Sequence, residues 1–483
     1  MATASTAAGR TEAPPSRVGM PRAVFAGCIG NFIEQIDVGL YGYLAPVMAA
    51  SFFPGGNPTV ALLSTYGTFA VGFLVQPLGG VVFGRMGDRV GRRTLLMLTI
   101  VLMGVLTACI GVLPTYAQVG VLAPALLLFI RILQGAVHGG EYGGALTFII
   151  EYAPRRSRGL YMGYASLGVF GGLLVGAGLS SLISALLSDG QMASWGWRVP
   201  FLLALPLSLG GLLLRRRVGE TPAFLEAQRN ESKPRESPVL ETLRAHWRPL
   251  LTFTGYAMTN AVLSYTWVTY LPQWLSKEGG LGHSAAFASN LVSLAAFLPM
   301  LVLAGWLSDR IGRKPMLLAG CVACVTVVPL AFWVAHHGSF GSAVTAQLIY
   351  LIPEFCIAVP ATASLPEMVP TRVRVTATAL GFNVPFSLFS GTAPMVATAL
   401  VGWSGTLYAV CAYLGALAVI SFFAVLLGFR DTARDSLTGE DGEDRGPEGQ
   451  QTPEHTGTTD GAQAGVGDSD GTPPGAGELS VRR

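Results

Sequence analysis

Glu34 and Asp37 stand three residues apart in a run that is otherwise apolar from about residue 22 to 48. That spacing puts both carboxylates on one face of a helix, together with Asn31 and Tyr41. A second run, about 121–149, carries Arg131, Gln134, His138 and Glu141 at i, i+3, i+7 and i+10, a single polar stripe. An ionised carboxylate at the centre of a membrane helix costs about 2.5–3.5 kcal/mol on insertion scales, so two of them on one helix are expected to face protein or an enclosed cavity. A nearby guanidinium favours the ionised form of such a group, and loss of water favours the protonated form. Opening and closing the site changes both influences together, which is the chemistry of proton coupling. Glu34, Asp37, Arg131 and Glu141 are its candidates. Asn31, Tyr41, Gln134 and His138 are candidate solute contacts, with His138 readable as a titrating group or as a neutral hydrogen-bond donor.

Depth supports the grouping. Counted from Arg22 at 1.5 Å per residue, Glu34 and Asp37 lie roughly 18 and 22 Å in. Arg131 lies roughly 15 Å from the opposite surface, so in a core of about 30 Å the three groups come within about a turn of one another. Arg131 has three possible partners: Glu34, Asp37 or the cargo. A static ion pair that only fixes helix packing is the alternative to a coupling role.

The elements that must hold these groups follow from composition. Hydrophobic residues form 51% of the 483 and charged residues only 12%, about half the charged share of a soluble protein. Twelve apolar stretches are expected to span a membrane: 22–48, 60–83, 94–113, 121–149, 159–187, 198–215, 249–275, 285–307, 315–336, 343–367, 375–401 and 406–429. They are read as helices because lipid offers no partner to a free backbone group. The first apolar run is too long for a signal core and contains two acids, so no cleavable signal is expected.

Two loop motifs repeat. Gly84-Arg85-Met86-Gly87-Asp88-Arg89-Val90-Gly91-Arg92-Arg93 returns as Gly305-Trp306-Leu307-Ser308-Asp309-Arg310-Ile311-Gly312-Arg313-Lys314, 221 residues later. Glu151-Tyr152-Ala153-Pro154-Arg155-Arg156-Ser157-Arg158 is echoed by Glu367-Met368-Val369-Pro370-Thr371-Arg372-Val373-Arg374, offset by 216. Repetition at a near-constant interval implies two related halves, the plan of many secondary transporters, whose solute site lies between the halves. The duplicated loops are expected to form a latch that sets the access state. Its candidates are Gly84, Asp88, Arg89, Gly91 and Arg92 in the first half and Asp309, Arg310, Gly312 and Arg313 in the second.

Of the 31 Lys and Arg residues, 28 fall in the termini or in the loops after even-numbered spans. This asymmetry predicts cytoplasmic termini. The net charge of +3 conceals an acidic tail, with 12 acidic and 4 basic residues from Asp431 onward. The remaining bases are spread among short loops and suit anionic lipid rather than nucleic acid. The expected organisation is a disordered terminus 1–19, a six-helix bundle 20–218, a connector 219–248, a second bundle 249–430 and a disordered tail 431–483. Six scattered Cys, including Cys321 and Cys324 inside one apolar span, read as small buried hydrophobes, and no metal or cofactor is expected.

The glycines of the fifth span are expected to serve close packing. In the seventh, Tyr270 and Trp274 are expected in an interfacial aromatic belt, while Tyr256, Asn260 and Tyr265 are candidates to line a cavity. Glu354 is the only acid well inside the second half, and Asn383 with Pro385 marks a polar, kinked eleventh span.

In these features the chain resembles the major facilitator superfamily, and within it the metabolite:proton symporter family, which includes the proline/betaine transporters. The matching segments are Gly30-Asn31-Phe32-Ile33-Glu34-Gln35-Ile36-Asp37, Leu40-Tyr41-Gly42-Tyr43-Leu44-Ala45, Arg131-Ile132-Leu133-Gln134-Gly135, Gly139-Gly140-Glu141-Tyr142-Gly143-Gly144-Ala145, Glu151-Tyr152-Ala153-Pro154, Trp195-Gly196-Trp197-Arg198-Val199-Pro200-Phe201 and Glu220-Thr221-Pro222-Ala223-Phe224. They lie within a resemblance covering about 20–430. It implies symport of a small solute with protons, with Glu34, Asp37, Arg131 and Glu141 at the family's polar intramembrane positions. Three departures stand out. Gln35 and Ile36 replace the aromatics that the family pattern has between the first-span acids, and an aromatic cage is the natural receptor for a quaternary ammonium. Ala136-Val137-His138 replaces Phe-Ser-Val, which favours a carboxylate-bearing solute. The tail carries no coiled-coil heptads.

The resulting expectation is an all-α, twelve-span inner-membrane protein in two pseudo-symmetric six-helix bundles, with the lipid bilayer as its surroundings. Its activity is expected to be proton-coupled uptake of an osmolyte such as proline or glycine betaine. The alternatives are a proton symporter of a carboxylate metabolite (oxoglutarate, shikimate or citrate type) and a transporter-like sensor. No hydrolytic constellation such as H-E-x-x-H occurs, so the chain is not read as an enzyme.

Overall fold

Long apolar runs with few backbone breakers leave the chain one way to satisfy its peptide groups in lipid, and the helices follow the runs closely. The computed structural model describes residues 20–55, 57–90, 92–215, 238–370 and 373–433. The first half consists of α1 (Met20–Phe52), α2 (Pro58–Val90), α3 (Arg92–Val112), α4 (Leu122–Tyr152), α5 (Arg158–Leu186) and α6 (Arg198–Arg215). In the second half α7 is assembled from Trp247–Tyr265, a π-helical turn Thr266–Tyr270 and Leu271–Lys277. It is followed by α8 (His283–Ile311), α9 (Arg313–Ala335), α10 (Phe340–Met368), α11 and α12 (Tyr408–Gly428). The helix α11 is likewise broken, into Arg374–Pro385, a π-helical turn Phe386–Ser390 and Ala393–Ser404.

Among the described residues, nine helices are long and apolar enough to cross a membrane, and a bent pair, Asp189–Gly196 with Arg198–Leu213, makes a tenth. The remaining two of the expected twelve are α1 and α7, whose interiors hold Asn31, Glu34, Gln35 and Asp37, and Asn260 and Gln273.

The helix partnerships repeat. In the first half α1 packs on α5, α2 on α4 and α3 on α6; in the second α7 packs on α11, α8 on α10 and α9 on α12. Between halves, α5 packs on α8 and α2 on α11, contacts that exchange under the same two-fold relation. Small residues permit the α5–α8 approach. A Cβ on Gly159 would lie 2.6 Å from the carbonyl oxygen of Gly305, and one on Gly163 would lie 2.7 Å from that of Leu301.

The aromatic belt expected at the end of α7 is not there. Tyr270 and Trp274 are each only 5% exposed. Trp274 donates its indole N–H to Glu278 at 3.0 Å and packs on His336. A run of apolar sequence marks membrane depth but not which side of the helix meets lipid.

Candidate functional site

The first-span acids have separate partners. Asp37 on α1 receives Arg131 Nη1 of α4 at 2.6 Å on Oδ2, while Oδ1 accepts Thr107 of α3 at 3.1 Å and Gln134 of α4 at 3.2 Å. Gln134 also donates to Thr107 at 2.9 Å. The Arg131 guanidinium lies 4.0 Å from the centroid of the Tyr41 ring, which stacks on Phe69 and donates its hydroxyl to the Thr65 carbonyl at 2.8 Å. Three helices of one half thus hold a buried ion pair with Tyr41 as a platform for the cation, while Nε and Nη2 of Arg131 have no hydrogen-bond partner.

Glu34 has a different partner on the same helix, α4. It is 2% exposed, and its Oε1 lies 2.5 Å from Nε2 of His138. Carboxylate and imidazole are in contact at a distance a proton could bridge, with neither atom in hydrogen-bond geometry.

Two adjoining chambers follow. The smaller is charged, walled by Glu34, Asp37, Arg131, Gln134 and apolar neighbours. The larger lies between the halves, and His138, Phe73 and Gln76 belong to the walls of both. Aromatic rings come from α2 (Phe73), α4 (Tyr142), α5 (Phe170), α7 (Tyr265) and α11 (Phe382, Phe386). Neutral polar groups include Gln35, Ser166, Asn260, Ser264, Thr362 and Asn383. No Lys, Arg, Asp or Glu lines this larger cavity among the described residues. The π-helical turns bear directly on it: Tyr265 immediately precedes the turn in α7, Val268 lies within it, and Phe386 opens the turn in α11.

The other candidates fall at different places. Asn31 and Glu141 are buried and line neither chamber. Tyr256 is also outside the cavity wall, its hydroxyl 2.5 Å from Ser364 Oγ. Asn260 lines the wall, and so does Asn383, whose amide donates to the Gly139 carbonyl across the halves at 2.7 Å. Tyr265 lines the wall too, while the other five rings and Gln35 were missed as binding groups because isolated aromatics in apolar helices carry no motif.

At the face that carries the basic loops, Asp309 at the end of α8 accepts the backbone N–H groups of Gly159 and Leu160, at 2.7 and 2.8 Å. It caps the N-terminus of α5, where a negative charge is favoured. Arg313 braces it, donating to Asp309 at 2.9 Å and to Glu367 at 3.1 Å. Gly312 makes the intervening turn at φ +101°, a conformation that suits glycine. Arg310 instead lies over the Trp306 ring at 3.9 Å. The second echoed motif pairs across the halves, Arg374 with Glu151 at 3.2 Å, and Glu367 in turn lies within electrostatic reach of Arg158. In the first-half loop Gly91 and the side chains of Asp88, Arg89 and Arg92 lie outside the described residues, and so does the surrounding of Gly84. At the opposite face Gln273 of α7 donates to the Gly42 carbonyl of α1 at 3.0 Å, and Tyr43 of α1 packs on Phe287 of α8. The halves therefore touch on both sides of the cavity.

Known proteins match this arrangement. The Major Facilitator Superfamily pattern covers residues 27–384. The chain is 37% identical over 432 residues to the glycine betaine/proline/ectoine/pipecolic acid transporter OusA of Dickeya dadantii, covering 86% of this chain and 85% of that one. It is 36% identical to the proline/betaine transporter of Escherichia coli K12 with the same coverage, and 34% identical to the ectoine/proline transporter ProP of Corynebacterium glutamicum, covering 81% and 80%. A solved structure of the proton:xylose symporter XylE, with bound 6-bromo-6-deoxy-D-glucose, superposes with a TM-score of 0.69 at 16% identity, over 84% of this chain and 94% of that one. With twelve paired helices around a central cavity, and relatives named as transporters along most of its length, the chain belongs to the major facilitator superfamily of multi-pass membrane transporters.

Proposed function

We propose that this transporter takes up a net-neutral, zwitterionic osmolyte of the proline or glycine betaine type together with protons. It does so across the cell (inner) membrane, with the basic face and both termini cytoplasmic. The observation that carries the reading is the larger cavity: six aromatic rings, neutral hydrogen-bonding groups, and one wall residue, His138, that reaches the Glu34 carboxylate behind it. Ring faces attract an alkylammonium head. Amide, hydroxyl and imidazole groups serve the solute carboxylate. A di- or tricarboxylate would bring two or more negative charges into a cavity that no Lys or Arg lines among the described residues, the Arg131 guanidinium lying in the adjoining chamber and pairing with Asp37 through Nη1. The substrates named for the relatives agree with a zwitterion.

In the cycle, the proton shared by Glu34 and His138 arrives while the cavity faces the acidic side. With the proton on the pair, His138 offers an N–H to the solute carboxylate. The six-span halves, 20–218 and 249–430, rock over the loaded cavity, and loss of the proton on the other side withdraws that donor and releases the solute. Asp37 and Arg131 stay paired and hold α1, α3 and α4 as one body. Asp309, Arg313 and the Glu151–Arg374 pair form the latch of the outward-facing state and must part for inward release. The 219–248 connector links the two bodies.

The test is accumulation of labelled glycine betaine and proline in proteoliposomes with an acid-outside gradient. Uptake against a concentration gradient that collapses with a protonophore is expected. Uptake indifferent to the protonophore overturns proton coupling, and preference for citrate or oxoglutarate overturns the zwitterion.

A further inference from the structure

Glu354, midway along α10, is 0% exposed. Its Oε1 accepts a short hydrogen bond from Ser264 of α7, and its Oε2 has no partner. No cation answers it among the described residues. Its titratable neighbours are Tyr350 on its own helix, Cys324 on α9 and, beside these two, Cys411 on α12, none of which carries positive charge. The ionisable residues of α8 are His283, Asp309 and Arg310, all near its ends, and α7 contributes Tyr265 beside Ser264. An ionised carboxylate enclosed in this way lacks both water and a counter-charge, a combination proteins avoid by neutralising the group. Ser264, however, lines the larger cavity. One hydroxyl thus separates a buried acid from the space that the solute occupies.

We infer that Glu354 is a second proton carrier, in the half opposite to Glu34, and that it exchanges its proton with the cavity through Ser264. The inference rests on the symport reading above. Water in an open or solute-free cavity hydrates Ser264 and supports the carboxylate through it. A bound solute displaces that water, so the halves close over cargo only once Glu354 has taken up a proton. The empty carrier closes over water and returns with the group ionised. Protonation and cargo therefore travel together, and the proton leaves when the cavity rehydrates on the other side. The transfer is a plain proton movement from bulk water to the carboxylate and back, with the Ser264 hydroxyl as relay.

The stoichiometry decides it. With the membrane potential held at zero by potassium and valinomycin, each co-transported proton multiplies the limiting solute gradient by about ten per unit of imposed pH difference. Two carriers give the wild-type protein a limit of about 100-fold per unit, and Glu354→Gln about 10-fold, with solute counterflow retained. A wild-type limit of about 10-fold overturns the inference whether or not the variant folds, and so does an unchanged 100-fold limit in Glu354→Gln. Absence of any pH-driven gradient in the wild type overturns the symport reading instead. As a second readout, solute-induced infrared difference spectra of the wild type are expected to show a carboxylic-acid band that Glu354→Gln lacks. Persistence of the complete band in that variant overturns the assignment.

Discussion

Asp37 and Arg131, 94 residues apart in sequence, meet at 2.6 Å with both side chains about 5% exposed, and Thr107 and Gln134 occupy the remaining carboxylate oxygen. Glu34, one turn away, takes no part in this cluster and turns to His138. Two acids on one helix face thereby acquire different partners, one joining helices and one, on the proposed reading, carrying a transferable proton.

The first prediction concerns the joining pair. Breaking a buried ion pair from one side leaves an uncompensated charge and costs about 3–5 kcal/mol. Asp37→Asn is therefore expected to abolish accumulation and lower the melting temperature in detergent. The double variant Asp37→Asn/Arg131→Gln should melt higher than Asp37→Asn alone. A double variant no more stable than the single would refute the pairing.

Glu34→Gln tests the other acid. It removes a proton site without stranding a cation, since no Lys or Arg pairs with Glu34 among the described residues. Counterflow of solute should continue, while the limiting accumulation falls to about 10-fold per unit of imposed pH difference, the share left to Glu354. An unchanged limit of about 100-fold in this variant would remove Glu34 from the coupling path.

The rings of the larger cavity make an affinity prediction. Cation–π contacts contribute about 0.5–2 kcal/mol, so Phe386→Leu is expected to weaken glycine betaine binding by roughly 2- to 30-fold while a solute lacking the ammonium head is affected less. Isothermal titration in detergent reads both. Equal losses for the two solutes would mean that the ring acts only by shape.

The latch is checked by access. Hydrogen bonds to a charged group contribute about 1.5–3 kcal/mol each, so Asp309→Asn, which weakens two of them, should raise the population open at the basic face by roughly tenfold or more. A single Cys placed at Thr362 in a Cys-free background should then react correspondingly faster with a membrane-impermeant thiol reagent applied from that face. An unchanged rate would show that Asp309 does not hold the closed state.

The chain's own order of residues determined the membrane class, the helix positions and the two-fold plan, because apolar run length and repeated loop motifs are local properties. It also marked Glu34, Asp37, Arg131 and His138, since an ionisable group in an apolar helix is conspicuous wherever it points. Tertiary structure alone decided the pairing, because Asp37 and Glu34 are equivalent in spacing and both meet α4, differing in which turn of that helix lies opposite each. It also assembled the aromatic cavity. Gln35 and Ile36 leave α1 without a ring on the cavity wall, yet Phe73, Tyr142, Phe170, Tyr265, Phe382 and Phe386 converge from five other helices. A lone Phe in an apolar helix looks alike whether it meets lipid, core or cargo, and only the packing of one helix on another distinguishes the three.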